Sequence, residues 1–289
     1  LNDVETTLDA ALPGAQVRET LRNMTVGEAK VSVYARNEAG NGPAEKVRLW
    51  AGHDAPEAPK NLKAEVDGKS IRLSWQAPEE GLHQGYLDRD ALYYKLIRYP
   101  GGTVLEDRLT ETTYTDTPAT LSLSAFWYEV IPYAGNLQGA SATTEKLLLG
   151  EAFTVPYSES FDRASDFELF TVIDANHDGV TWKLEDTGSA VCHYSTEHAM
   201  DDWLITPPIT LSTDYLYRLR FKARSASSGW PEKIRVAMGK DRTVEALDHE
   251  VLPVTLVNTI DSREYEQLFS MDEAGVWYLG FQSCSDAQM

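Results

Sequence analysis

A chain of 289 residues is longer than one ordinary sandwich domain needs and suits two or three domains. Hydrophobic residues at 42%, with 10% aromatics, exclude a disordered chain. The formal charge of −19 argues against a nucleic-acid partner, because binding phosphates takes Lys and Arg in excess.

No apolar run approaches membrane-spanning length and no signal peptide is visible, so no membrane insertion is expected of this stretch. Starting at Leu1 without a methionine, it reads as a fragment or a processed product. Cys192 and Cys284 leave the redox compartment open; strands of the last domain could bring them together as a disulfide, and two buried free thiols are the preferred expectation.

Helical periodicity is nearly absent, and alternation broken by Gly, Pro, Asn and Asp clusters predicts an all-β chain. An internal repeat organises the first half. Tyr34-Ala-Arg-Asn37-Glu-Ala-Gly40 recurs as Tyr133-Ala-Gly-Asn136-Leu-Gln-Gly139, at a constant offset of 99 residues. One immunoglobulin-like sandwich is about 100 residues long, so the offset is one module. The second copy reads as complete. It runs from Pro59-Lys-Asn-Leu62 through Ile71-Arg-Leu-Ser-Trp75, which puts Ile71, Leu73 and Trp75 on one face, to Leu149. The first copy lacks its early strands, since the counterpart of Trp75 would fall before Leu1.

Pro-x-x-Leu, Leu-x-Trp, Tyr128-x-Val130 and Ala-x-Asn-x-x-Gly occur here in that order, and this half resembles fibronectin type III modules. The resemblance implies immunoglobulin-like sandwiches over 1–53 (the C-terminal part of a module) and 56–150. Tyr128 would be the corner tyrosine, and Pro132 predicts a bulge or an edge on its strand. The proline-bearing joins, 53–59 and 150–156, predict semi-rigid spacing.

From 151 to 289 the strands come more densely. They are expected at 167–173, 181–185, 189–195, 203–211, 215–224, 232–239, 249–257, 262–270 and 275–284, enough for two stacked sheets of a jelly roll. On 215–224, Tyr215, Tyr217, Leu219, Phe221 and Ala223 would share one face. Arg218, Arg220, Lys222 and Arg224 would form a cationic row on the other, solvated beside acidic residues of a neighbouring strand. Within Asp174-Ala-Asn-His-Asp-Gly-Val180, oxygen-bearing side chains alternate at Asp174, Asn176 and Asp178, and Gly179 lets the chain turn the next carbonyl, that of Val180, inward. A hard divalent cation such as calcium takes such a set. The β-rich flanks exclude an EF-hand, although Glu185 falls at its twelfth position. A polar turn between two strands needs no metal and remains the competing reading.

Ser158-Glu-Ser-Phe-Asp162, Phe170-Thr-Val-Ile-Asp174, Asp202-Trp-Leu-Ile-Thr-Pro-Pro-Ile209 and Trp277-Tyr-Leu-Gly-Phe281 make 151–289 resemble the cleaved-adhesin jelly rolls of gingipain haemagglutinin regions. The resemblance implies calcium on Asp174, Asn176, Asp178 and Glu159, and a closing strand that lies beyond Met289.

Cys192, His193, Glu197 and His198 lack the helix or knuckle that would gather zinc ligands, and no nucleophile elbow or phosphate loop is present, so no catalysis is expected. Trp203 and Trp277 are expected in the core. Trp230, within Ser227-Ser-Gly-Trp-Pro231, is the candidate ligand platform. The preferred reading is a monomeric, non-catalytic, secreted or bacterial cell-surface adhesin-like binder of a glycan or glycoprotein, with a calcium-stabilised head on fibronectin-type spacers. The alternatives are an accessory region of a larger surface peptidase or glycoside hydrolase, and a purely structural stalk.

Overall fold

The computed structural model describes residues 6–8, 16, 18, 20, 22, 24–119, 122–186, 188–227 and 229–287. The protein is all-β, built of sandwich-like, mainly antiparallel sheets. Its contacts gather into two compact units, each discontinuous in sequence. One comprises 1–63, 74–114 and 128–144, the other 64–73, 115–127 and 145–289.

In the first unit Gly27–Val33 pairs with Glu45–Ala51, from Gly27↔Ala51 to Val33↔Glu45. The repeat motif closes a small hairpin in both copies, but in different register. The first pairs Asn37 with Gly40, with the Asn37 side chain accepting the amide of Ala39; the second pairs Ala134 with Leu137 around Gly135. Sequence identity fixes where the chain turns, while the left-handed φ at Gly135 selects which residues form the turn.

Ser70–Gln76 alternates as expected, burying Ile71, Leu73 and Trp75. Trp75 meets Tyr94 edge to face at 5.3 Å between ring centroids. The long strand Ser124–Ala134 changes partner along its length: Leu147–Leu149, then Ala142–Thr143, then Leu137–Gln138. No ladder partner falls opposite Pro132 among these pairs, and its carbonyl accepts the amide of Gly139 instead. That is the irregularity the proline demands, since it has no N–H to give.

The join at 50–56 is built tightly. Asp54 is fully buried, and its Oδ2 accepts the amides of His83 at 2.7 Å and Gly85 at 3.0 Å while Oδ1 lies 2.9 Å from His83 Nδ1. The Trp50 indole stacks on the His83 ring at 3.9 Å and donates to the His53 carbonyl. A Cβ at Gly81 would run into the Asp54 carboxylate, and one at Gly85 into the Trp50 indole. Burial alone would raise the pKa of Asp54, but the hydrogen bonds from the His83 side chain and the two amides outweigh it and hold it below the usual carboxylate range. With the folded pKa depressed, this carboxylate's stabilisation is present above the ordinary pKa and is lost as pH falls through the folded value. Asp54→Ala leaves two amides without an acceptor and is expected to cost about 2 kcal/mol at pH 7. The deficit should shrink in acid, which denaturant melts of both proteins at pH 7 and pH 3 would measure.

In the second unit a broad sheet runs Thr171–Asp174, Asp202–Ile205, Gly275–Ser283, Glu232–Gly239, His249–Val257, with Ile209–Leu211 and Phe153–Thr154 continuing beside Gly275–Ser283. Leu216–Ala223 pairs with Arg263–Ser270, and Lys183–Glu185 with Ser189–Val191, each as a separate two-stranded sheet. One face of the broad sheet carries Ile209, Leu211, Val236, Met238, Trp277 and Leu279 in a single apolar cluster, which Tyr217 joins from the two-stranded sheet of Leu216–Ala223 and Arg263–Ser270; Trp203, Ile205 and Ala237 form a second cluster. Trp203 and Trp277 are thus core residues.

Three expectations are corrected here. The strand expected at 203–211 is two strands, broken by Thr206-Pro207-Pro208, because proline cannot donate to a ladder. The strand expected at 167–173 begins only at Thr171. Before it, a helical turn at Ala164–Phe167 and the bonds Leu169 N–H to Asp166 and Phe170 N–H to Phe167 gather Phe161 and Phe170, 5.3 Å apart. Tyr215 precedes its strand and is 63% exposed, so the inward face starts at Tyr217.

Candidate functional site

The loop after Thr171–Asp174 is held by its own side chains. Asp178 N–H donates to Asp174 Oδ1 and Asn176 Oδ1, both at 3.2 Å; Gly179 N–H donates to Asp174 Oδ2 at 2.9 Å, and Val180 N–H to Asp178 Oδ1 at 2.8 Å. Asn176 is oriented by giving its amide to the Ala199 carbonyl at 2.7 Å. Left-handed φ values at His177 and Gly179 allow the tight path. Asp174, Asn176, Asp178 and Val180 therefore come together as one nest of oxygens and amides. Glu159 does not join them through any hydrogen bond of its own: its Oε1 accepts the amides of Ser160 and Phe161. Glu185 bonds to His193 Nε2 at 3.1 Å, so the twelfth position of the EF-hand spacing is used elsewhere.

Asp202 is the residue that spacing did not single out. It lies opposite Asp174 in the ladder, is 0% exposed, and neither carboxylate oxygen has a hydrogen-bond partner among the described residues. Asp178 Oδ2 and the Thr181 hydroxyl are buried and unpartnered in the same way. Burial is the largest influence on Asp202. The Thr181 hydroxyl beside it pulls the other way, the charges of Asp174, Asp178 and Asp201 add to burial, and its pKa is pushed up to about 6. Its neighbour Asp201 faces the opposite side of the strand and is satisfied, accepting from Trp203 Nε1 and Gln282 Nε2. The sequence signal was present: an Asp opening the otherwise apolar run Trp203-Leu-Ile205 has no solvated face to occupy.

Among the described residues no three or more His, Cys, Asp or Glu side chains are arranged as a metal cluster. The buried carboxylate oxygens without a partner among the described residues are Asp178 Oδ2 and both oxygens of Asp202.

Cys192 and Cys284 are both free. Burial, then the charge of Asp202, pushes the Cys192 thiol up to about 12, and burial raises Cys284. Thiols held protonated react slowly. Iodoacetamide at pH 8 is expected to leave both unmodified in the folded protein and to alkylate both after unfolding, read by intact mass. Trp230 is 61% exposed, bridged to Ser227 through the main chain. In the cationic row Arg218 lies 3.6 Å from Glu266, while Arg220 and Lys222 stand opposite Glu266 and Glu264 in the ladder.

The fold and the site together define an all-β chain with a half-buried acidic loop beside a buried Asp202 in its second unit. No family model matches the chain, and no curated protein matches it either. Solved structures similar to it include the K1 and K3 cleaved adhesin domains of Lys-gingipain from Porphyromonas gingivalis. These are 20% and 19% identical at TM-scores of 0.35 and 0.34, covering 46% of this chain and 90% and 91% of theirs. Domains d3–d4 of the rat CD45 extracellular region are 14% identical at a TM-score of 0.29, covering 51% of this chain and 77% of that one. Among the described residues no helix is long and apolar enough to cross a membrane.

Proposed function

We propose that this chain is a non-catalytic extracellular binding protein. In this reading 1–53 and 56–150 are fibronectin-type spacers, and 151–289 is a jelly-roll head that calcium stiffens. The observation that carries the reading is the loop at Asp174–Val180 lying against a buried Asp202 whose oxygens have no hydrogen-bond partner among the described residues. The charges of Asp174 and Asp178 press on the buried Asp202, and a hard cation with oxygen ligands would relieve both that repulsion and the missing hydrogen bonds. Asp178 and Asp202 would be the principal ligands, assisted by Asp174, Asn176 and the Val180 carbonyl. Glu159 has Oε1 engaged by the amides of Ser160 and Phe161 and would offer Oε2. Bound calcium would supply charge and rigidity, with no chemical step. Trp230, exposed beside Pro231, is the proposed platform for a glycan or glycoprotein.

A ligand that binds only the folded state raises the melting temperature with its concentration, by about 2.7 kcal/mol of stability at a hundredfold excess over Kd. Thermal melts in chelator and in millimolar calcium are expected to differ; identical melts would remove the metal from the reading. A glycan and glycoprotein array probed with the native chain and with Trp230→Ala tests the partner, and equal signals from the two would remove Trp230 from the binding site.

A further inference from the structure

The outward face of Leu216–Ala223 concentrates positive charge on a chain whose formal charge is −19. Arg218, Arg220 and Lys222 are exposed at alternate positions, and Arg224 extends the row. Tyr217, Leu219 and Phe221, between them, pack on the apolar cluster of the broad sheet. Same-face residues on a strand stand about 7 Å apart, so the four cations form a nearly straight line about 20 Å long. Each lies within about one Debye length, roughly 8 Å at physiological salt, of the next, whereas acidic groups farther off are largely screened from it.

The protein answers only part of this charge. Across the ladder Glu266 stands opposite Arg220 and Glu264 opposite Lys222, while Leu268 and Ser270 hold the remaining outward positions of that strand. Glu266 leans to Arg218, with 3.6 Å between Oε1 and Nε. Among the described residues Arg220, Lys222 and Arg224 make no ion pair within 4 Å. Four outward cations against two outward carboxylates leave two positive charges unmatched on this face.

The shape of the row selects the ligand. A small anion would meet one or two of the cations and leave the others as they are. A flat anionic membrane would press on Glu264 and Glu266 along with the row. A linear polyanion can follow the line, and each cation it passes releases counterions from it. Three of the four cations are arginines, whose planar fork gives two parallel N–H bonds to two oxygens of one anionic group. Leu216 and Leu268 continue the same face, both exposed, and offer apolar ground to the C–H faces of sugar rings, which a bare polyphosphate lacks.

We propose that the outward face of Leu216–Ala223 binds a linear sulfated polysaccharide, with its sulfates on Arg218, Arg220, Lys222 and Arg224. This face rests on the reading of the chain as an extracellular binder but uses neither the acidic loop nor Trp230, so either of those can fail while the face still binds.

The test uses the whole 289-residue chain and immobilised heparin as the sulfated probe, with desulfated heparin, hyaluronan and polyphosphate beside it. Saturable binding to heparin is expected, with weaker binding to each of the other three. Log affinity should fall against log salt with a slope of about −3, as four contacts along a linear polyanion would give. Arg220→Glu with Lys222→Glu should weaken heparin binding about tenfold. Lys63→Glu with Lys69→Glu changes the net charge equally at two exposed lysines on and beside the strand Lys60–Asp67, and should leave heparin binding within about twofold. Trp230→Ala should leave it unchanged. Denaturant melts check the fold of each variant. If the reversal at 220 and 222 melts early, Arg220→Gln with Lys222→Gln removes the charges without adding carboxylates and should weaken heparin about threefold. No binding to heparin, equal binding of desulfated heparin, hyaluronan or polyphosphate, or equal loss from the two charge reversals overturns the proposal. Loss on Trp230→Ala without loss on the reversal at 220 and 222 also overturns it, by placing the polysaccharide at Trp230.

Discussion

Trp75→Ala is expected to cost about 3–5 kcal/mol, the range for truncating a buried large aromatic. The ring is 5% exposed, closes the inward set Ile71, Leu73, Trp75, and meets Tyr94 edge to face, so truncation empties the middle of the apolar face. Its indole N–H makes no hydrogen bond of ordinary geometry, although it lies close enough to the Tyr94 hydroxyl to act on it, so packing supplies most of its contribution. Trp230→Ala, by contrast, removes a ring 61% exposed and should cost under about 1 kcal/mol. Two denaturant melts decide the matter. Equal destabilisation would put Trp230 in a core and end its candidacy as a platform.

This pair also shows what sequence could convey. Period-two alternation made Ser70–Gln76 and the face from Tyr217 to Phe221 legible, because each strand has one wet and one dry side. Legibility failed where local turns competed with strand propensity. Phe167-Glu-Leu-Phe170 is aromatic and reads as a strand, yet the residues before it form a helical turn that folds Phe161 against Phe170. Alternation also cannot tell how strands are shared between sheets. That Leu216–Ala223 and Arg263–Ser270 form a separate two-stranded sheet depends on which edges are paired, and that is a property of the tertiary arrangement.

The acidic loop divides the same way. Asp174, Asn176 and Asp178 announce themselves by spacing, whereas Asp202 is 24 positions beyond Asp178 and meets Asp174 only through strand pairing. Spacing also over-reads. Glu185 fits the twelfth position of a calcium loop on paper, but the strand Lys183–Glu185 turns it to His193. Local pattern thus finds the residues that share a loop, and register finds the one that faces them.

Asp202→Asn should change the sign of its effect with calcium. In chelator the carboxylate is buried, without a hydrogen-bond partner among the described residues, beside Asp174 and Asp178, and its pKa stands at about 6 against an ordinary 3.8. The folded state therefore favours the proton. Below the ordinary pKa both states are protonated and the group is neutral in its effect. As pH rises from there to about 6 the unfolded chain ionises first, and stability falls. Above that window the deficit is complete, on the order of 2–3 kcal/mol at about 1.4 kcal/mol per pKa unit. Asparagine has nearly the same shape and no charge, so in chelator at pH 7 the variant should be the more stable protein by that amount. The advantage should vanish near pH 3.5. In millimolar calcium the order should reverse, because a hard cation rewards the carboxylate and gains less from the amide. Melts of both proteins at pH 3.5 and 7 in chelator, and at pH 7 in calcium, separate the two parts of the argument. A variant less stable than the native chain in chelator at pH 7 would show that Asp202 is satisfied in the folded protein. Undiminished stabilisation of the variant by calcium would instead place the ion elsewhere.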